Sequence, residues 1–177
     1  QIYDGFMYKS DPSYSTAHNS ASGSVTNSTE IFRVGQIYNP PYTIYRGYSF
    51  FDTNIIQDSA NITQATISIR FVSYIGSKNM NVTVQSGIPN YPHAPLQPSD
   101  YFYQYYSGNG GSLNFSTLMS GYHNITLNAQ GRDWINVQGI TKLCLRSNDD
   151  IDSISPSEDK LLNFFTVEAG EAYAPKL

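Results

Sequence analysis

The chain has 177 residues, a net charge of −4 and only 14 % charged residues, beside 15 tyrosines and nine phenylalanines. That length carries one domain with a two-layer core, and the composition excludes a disordered chain, which would show much charge and few aromatics. No run of Lys and Arg supplies the electrostatic footprint of nucleic-acid binding or of a polybasic membrane patch, and no apolar stretch reaches the length of a membrane span.

Helical periodicity is hard to find along the chain, whereas period-two alternation recurs. The first strand is expected over residues 2–8. It follows Gln1 without an initiator Met and without a basic-then-apolar leader, which reads as a processed or excised protein compatible with export. Residues 10–29 are polar and Ser-rich and read as a long surface loop within a single domain spanning 1–177. Strands are then expected over 31–38 and 45–51, parted by the Asn39-Pro40-Pro41 turn. The clearest alternation follows, with Ala65, Ile67, Ile69 and Phe71 on one face and Thr66, Ser68 and Arg70 on the other, as a half-buried antiparallel strand requires. Val82 and Val84 alternate with Asn81, Thr83 and Gln85. After the Pro-rich stretch 89–98 and the Gly-rich turn 108–111, Ile125 and Leu127 alternate with Asn124 and Thr126. The last strands are expected over 142–146 and 161–167. The sole cysteine, Cys144, rules out an intrachain disulfide and reads as a buried thiol in its strand. Many short strands with such punctuation predict an all-β fold, an antiparallel β-sandwich of jelly-roll type.

Five Asn-x-Ser/Thr sequons begin at Asn27, Asn61, Asn81, Asn114 and Asn124. Each is an acceptor site for an N-linked glycan in an exported protein. Asn81 and Asn124 fall on the expected outward faces of their strands, where a bulky glycan has room. This points to an extracellular or cell-surface protein.

Catalytic vocabulary is sparse. His18, His93 and His123 lie in polar or Pro-rich contexts with no accompanying motif, and no Gly-x-Ser-x-Gly elbow occurs. No His pair has zinc-ligand spacing, and residues 108–111 lack the Lys-Ser/Thr of a phosphate loop. The chain therefore reads as non-catalytic and free of organic cofactors, the distant alternative being polysaccharide degradation by two carboxylates assembled across strands, which nothing local marks. Asp149, Asp150 and Asp152 sit together in a turn-rich stretch, either a solvated acidic loop or oxygen ligands for calcium. The aromatic group Tyr91, Tyr101, Phe102, Tyr103, Tyr105 and Tyr106 has three readings: stacking on sugar rings, anchoring a protein interface, or capping a core beneath a long loop.

The run from Tyr45-Arg46-Gly47-Tyr48-Ser49-Phe50-Phe51-Asp52-Thr53 to Ala60-Asn61-Ile62-Thr63-Gln64-Ala65-Thr66-Ile67-Ser68-Ile69 resembles the DNRLRE, or disaggregatase-related, modules of secreted archaeal and bacterial proteins. Asp4-Gly5-Phe6-Met7-Tyr8 is similar to that family's first strand, and Phe164-Phe165-Thr166-Val167-Glu168-Ala169 with Ala174-Pro175-Lys176-Leu177 to its last motif. The resemblance implies a non-catalytic, jelly-roll-like surface module, in some members a carbohydrate-binding one. The family's usual Ser-Arg-Glu reads Thr166-Val167-Glu168 here, which removes any role of that Arg. The stop at Leu177 implies a shortened final strand and an apolar groove that a neighbouring subunit could fill by strand addition. The reading this favours is a glycosylated structural subunit that polymerises with copies of itself, through exchange of a terminal strand such as residues 2–8. The alternative is a module that binds polysaccharide through Tyr101, Tyr103 and their neighbours.

Overall fold

A computed structural model describes residues 3–177 of the chain. The first expected strand therefore begins at Tyr3, and Ile2 lies outside the described residues. In chain order the strands are β1 (Tyr3–Asp11), β2 (Ser24–Thr26), β3 (Ile31–Ile37), β4 (Tyr42–Asp52), β5 (Thr66–Gly76), β6 (Asn81–Gln85), β7 (Ser112–Asn114), β8 (Gly121–Thr126), β9 (Ile140–Ser147) and β10 (Lys160–Phe165). Three short helices intervene, α1 (Tyr14–Asn19), α2 (Ala129–Asp133) and α3 (Asn148–Ile151). The all-β, antiparallel class expected from the alternation is the one the chain adopts.

The ten strands form one sheet that forks at β4. One edge of β4 pairs with β1 from Tyr42 to Phe50. Its other edge takes β3 against Thr43–Tyr45 and β9 against Gly47–Asp52. From β9 one arm continues through β6 to β7, and from β3 the other continues through β10 and β5 to β8. The arms fold towards each other and nearly close the sheet: the Asn128 N–H donates to the Gly110 carbonyl (2.9 Å), joining the segments beside β8 and β7.

Period-two patterning decides what lies between the arms. Ile67, Ile69 and Phe71 of β5 meet Val82 and Val84 of β6, Leu143 and Leu145 of β9, and Leu162 and Phe164 of β10 in one buried cluster. A second cluster lies on the opposite face of the β1–β4–β9 arm, where Met7, Tyr48, Phe50 and Cys144 are covered by Leu96, Tyr101 and Tyr106. β4 is thus buried on both faces, which is why its sequence runs apolar without alternating.

Residues 10–29 are not a plain surface loop. They hold α1, capped by the Ser13 hydroxyl accepting from the Thr16 N–H (3.4 Å), and β2, which pairs with β1. The polar composition misleads because α1 is amphipathic over a single turn: Ala17 and His18 are buried while its other side chains remain largely in water. β4 starts three residues before the expected Tyr45, and β5 runs on to Gly76, well past Phe71.

Close approach of β3 to β10 depends on Gly35, at φ +134°, where a Cβ would lie 2.0 Å from the Lys160 carbonyl oxygen. Gly35→Ala is expected to cost at least about 2 kcal/mol of stability through backbone strain and overpacking, read as a lower urea midpoint. Cys144 gives a second test. Burial pushes its thiol up to about 12, so native protein at pH 8 is expected to react with a thiol reagent only as fast as it unfolds.

Candidate functional site

The most elaborate feature is the 86–107 connection between β6 and β7, closed at its base by the Ser107 N–H donating to the Ser86 carbonyl (3.1 Å). Its middle is pinned by Asp100, wholly buried, whose carboxylate accepts from the backbone N–H groups of His93 (3.1 Å) and Gln97 (2.8 Å) and lies 2.7 Å from His93 Nδ1. The hydroxyls of Tyr48 and Tyr106 both donate to the Asp100 carbonyl, at 2.8 and 2.9 Å. The Tyr101 hydroxyl donates to the Ala17 carbonyl (2.9 Å), tying the loop to α1.

Beneath the loop lies a buried Arg–Asp–Arg network. Ser147, the N-cap of α3, places two acidic residues in the first helical turn, the arrangement favoured by the exposed N–H groups there. Asp150 then turns inward between the strands. It accepts from Arg46 Nε (2.9 Å), the second Arg46 nitrogen (2.7 Å) and Arg146 Nε (2.6 Å). Arg46 also donates to the carbonyls of Tyr101 and His18, and Arg146 to Gln85 Oε1 (2.9 Å) and to the Asp150 carbonyl (3.0 Å). The Arg46 guanidinium sits 4.2 Å from the Tyr101 ring centroid, and both arginines lie 5.9 Å from that of Tyr103. One network therefore clamps α1, β4, β6, β9, α3 and the loop.

Burial alone would push the Asp150 carboxyl up, but the charges and hydrogen bonds of Arg146 and Arg46 hold it well below the usual carboxylate range. A depressed carboxylate stabilises the fold above its unfolded-state pKa and loses that contribution as pH falls. Stability from this group is thus expected to hold from pH 7 to about 5 and to decline below about 4, checked as the urea midpoint against pH.

The aromatic residues singled out in the sequence divide into two sets. Tyr101 and Tyr106 are buried and cap the second cluster, so no ligand can reach their rings. Tyr91, Phe102, Tyr103 and Tyr105 remain half-exposed and form one contiguous group of rings, set face to face and edge to face rather than in one plane, which we call the shelf. Tyr91 and Tyr105 stack at 3.7 Å with planes 3° apart, and Phe102 meets Tyr105 edge-on at 5.2 Å. His93 abuts Tyr91 at 5.2 Å, and Tyr103 packs on His18 at 4.6 Å. Two 3₁₀ turns, Pro98–Tyr101 and Tyr103–Tyr105, carry Tyr101, Tyr103 and Tyr105, so the segment is not a strand.

The acidic stretch is dispersed. Asp150 belongs to the arginines, Asp149 pairs with Lys160 (3.0 Å), and Asp152 is exposed. Among the described residues no three His, Cys, Asp or Glu side chains are grouped to hold a metal ion. Of the sequon asparagines, Asn27, Asn61, Asn114 and Asn124 are exposed. Asn81 is half-buried, its Oδ1 accepting from Asn114 Nδ2 (2.8 Å), and the face expected to be open is covered, with Thr83 7 % exposed.

Sequence reasoning missed Arg146 and Asp150 as partners, the anchoring of the loop by Asp100, and a cleft around Trp134. No helix among the described residues is long and apolar enough to cross a membrane. Structurally, then, the chain is a nearly closed antiparallel sheet carrying a clamped aromatic loop. Comparison with protein-family models gives no match, and comparison with curated proteins gives none either.

Proposed function

We propose that the chain is a non-catalytic, extracellular carbohydrate-binding module, a jelly-roll-like sandwich of the DNRLRE kind, which holds polysaccharide on the shelf of Tyr91, Phe102, Tyr103 and Tyr105. The supporting observation is the pairing of half-exposed rings with a backbone fixed from below by buried hydrogen bonds and ion pairs. Rings held in place before binding lose little freedom when a sugar stacks on them, and their apolar faces match the C–H faces of a pyranose. The exposed sequons at Asn27, Asn61, Asn114 and Asn124 suit such a protein, since an exported chain can carry glycans there. Co-sedimentation with insoluble polysaccharides, among them cellulose, chitin and mannan, tests the proposal: the intact protein should partition to the pellet with at least one of them, and its absence from every pellet would refute the reading.

A second reading, self-assembly, is favoured by one edge. β8 pairs with β5 only as far as Phe71, while β5 continues to Gly76 with Tyr74 50 % and Ile75 44 % exposed. Exposed apolar edges of this kind recruit further strands. β1 is paired to β4 along its whole described length, which makes the β5 edge the better support for polymerisation than exchange of the first strand. Light scattering of the wild type and of Ile75→Lys separates the two: large species lost in the variant support assembly, and a monomer in both speaks against it.

A further inference from the structure

A cleft of about 380 Å³ opens beside the shelf, lined by Trp134, the one tryptophan of the chain, with Ile88, Pro89, Asp133, Asn136 and Lys142. Its size lies within the range of small-molecule sites, and its lining has the usual make-up of one, apolar walls with a few polar groups. The indole is fixed from one side by the glycine-rich turn: a Cβ on Gly110 would lie 2.3 Å from Trp134 Cζ3, so only glycine admits the ring there. Among the described residues Asp133 and Lys142 take part in no ion pair.

The cleft and the shelf share a turn. The Tyr91 N–H donates to the Gly87 carbonyl (2.9 Å), so residues 87–91 form a tight loop with Ile88 and Pro89 in the cleft wall and Tyr91 in the shelf. Pro89 and Tyr91 are two residues apart, a span of at most about 7 Å, short enough for a single glycan chain to touch both. Lys142 Nζ donates to the Asn90 carbonyl (3.4 Å) at the same turn.

We infer that the Trp134 cleft is a second sugar subsite continuous with the shelf, so that the ligand is an extended chain of neutral hexose residues. The inference rests on the carbohydrate-binding reading above. Stacking on the indole supplies the apolar contact. Asp133, Asn136 and Lys142 supply acceptors and donors for hydroxyl groups. The opposite charges of Asp133 and Lys142 balance within the cleft, which is why a neutral chain fits it.

Because Trp134 is the only tryptophan, all indole emission comes from this one wall of the cleft. The intact protein would be titrated with β-1,4-linked glucose and mannose oligosaccharides, dimers against hexamers, by calorimetry and fluorescence in parallel. A hexamer is expected to bind at least about tenfold more tightly than its dimer and to change the indole emission. Asp133→Ala is expected to lower hexamer affinity severalfold, leaving dimer binding and the circular dichroism spectrum unchanged. Hexamer binding with silent emission or with no loss in the variant would overturn the subsite and leave the shelf reading standing. No calorimetric binding of any of these oligosaccharides would overturn the subsite, and would overturn the shelf reading too if the protein also stays out of every polysaccharide pellet.

Discussion

Asp150→Ala is expected to destabilise the protein by about 3–5 kcal/mol, the cost of leaving buried charges without their partner. The side chains of Arg46 and Arg146 are 0 % and 2 % exposed, and among the described residues Asp150 is the only carboxylate paired with either. Removing it strands two guanidinium groups that still accept no solvent. A domain of ordinary stability holds about 5–15 kcal/mol, so the variant is expected to lose between about a fifth and all of it. The loss should appear as a lower denaturant midpoint with an unchanged slope. Replacing all three residues together, as Arg46→Met, Asp150→Leu and Arg146→Met, is expected to recover only part of the deficit, because an apolar trio needs no desolvation but leaves the Tyr101 and His18 carbonyls and Gln85 Oε1 without their donors. Failure of the single variant to move the midpoint would show that the network is not the clamp described.

The second large effect is expected at the shelf. Tyr91→Ala with Tyr105→Ala removes the stacked pair and should weaken polysaccharide binding by about a hundredfold or more, since buried aromatic anchors contribute about 2 kcal/mol or more each. Both rings also cover the second cluster, so part of any loss could come from loosening of the loop. Tyr105→Leu separates the causes. It keeps apolar cover over the cluster and removes the flat ring face, and it should retain the melting temperature while losing most of the affinity. Calorimetric titration against the polysaccharide that the wild type retains is the measurement.

These two sites differ in how far the sequence discloses them. β5 and β8 are legible because one face of each lies on the core and the other meets water, so Ile67, Ile69 and Ile125 alternate cleanly with polar residues. β4 and β9 have both faces buried, and there Arg46 and Arg146 look like outward-facing positions when they point beneath the loop. Asp150 reads as one of a solvated acidic run because its partner Arg46 lies 104 residues away. Its other partner, Arg146, lies four residues before it, which is the one local mark of the network. The tyrosine-rich segment advertises itself by composition, but period-two reasoning cannot sort its rings, since two 3₁₀ turns bury Tyr101 and Tyr106 and leave Tyr103 and Tyr105 at the surface. The Trp134 cleft draws its walls from residues 88–89, which follow β6, and from 133–136, Ile140 and Lys142, which lead into and begin β9, and only the pairing of β6 with β9 brings these together.

The central claim is that a rigid aromatic shelf binds polysaccharide without turning it over. Affinity electrophoresis of the native protein through gels containing soluble neutral polysaccharides tests it most directly, with the Tyr91→Ala, Tyr105→Ala protein in the adjacent lane. The wild type is expected to be retarded in at least one gel, the variant to migrate normally, and the polysaccharide to keep its length. Equal mobility of the two proteins in every gel would contradict it.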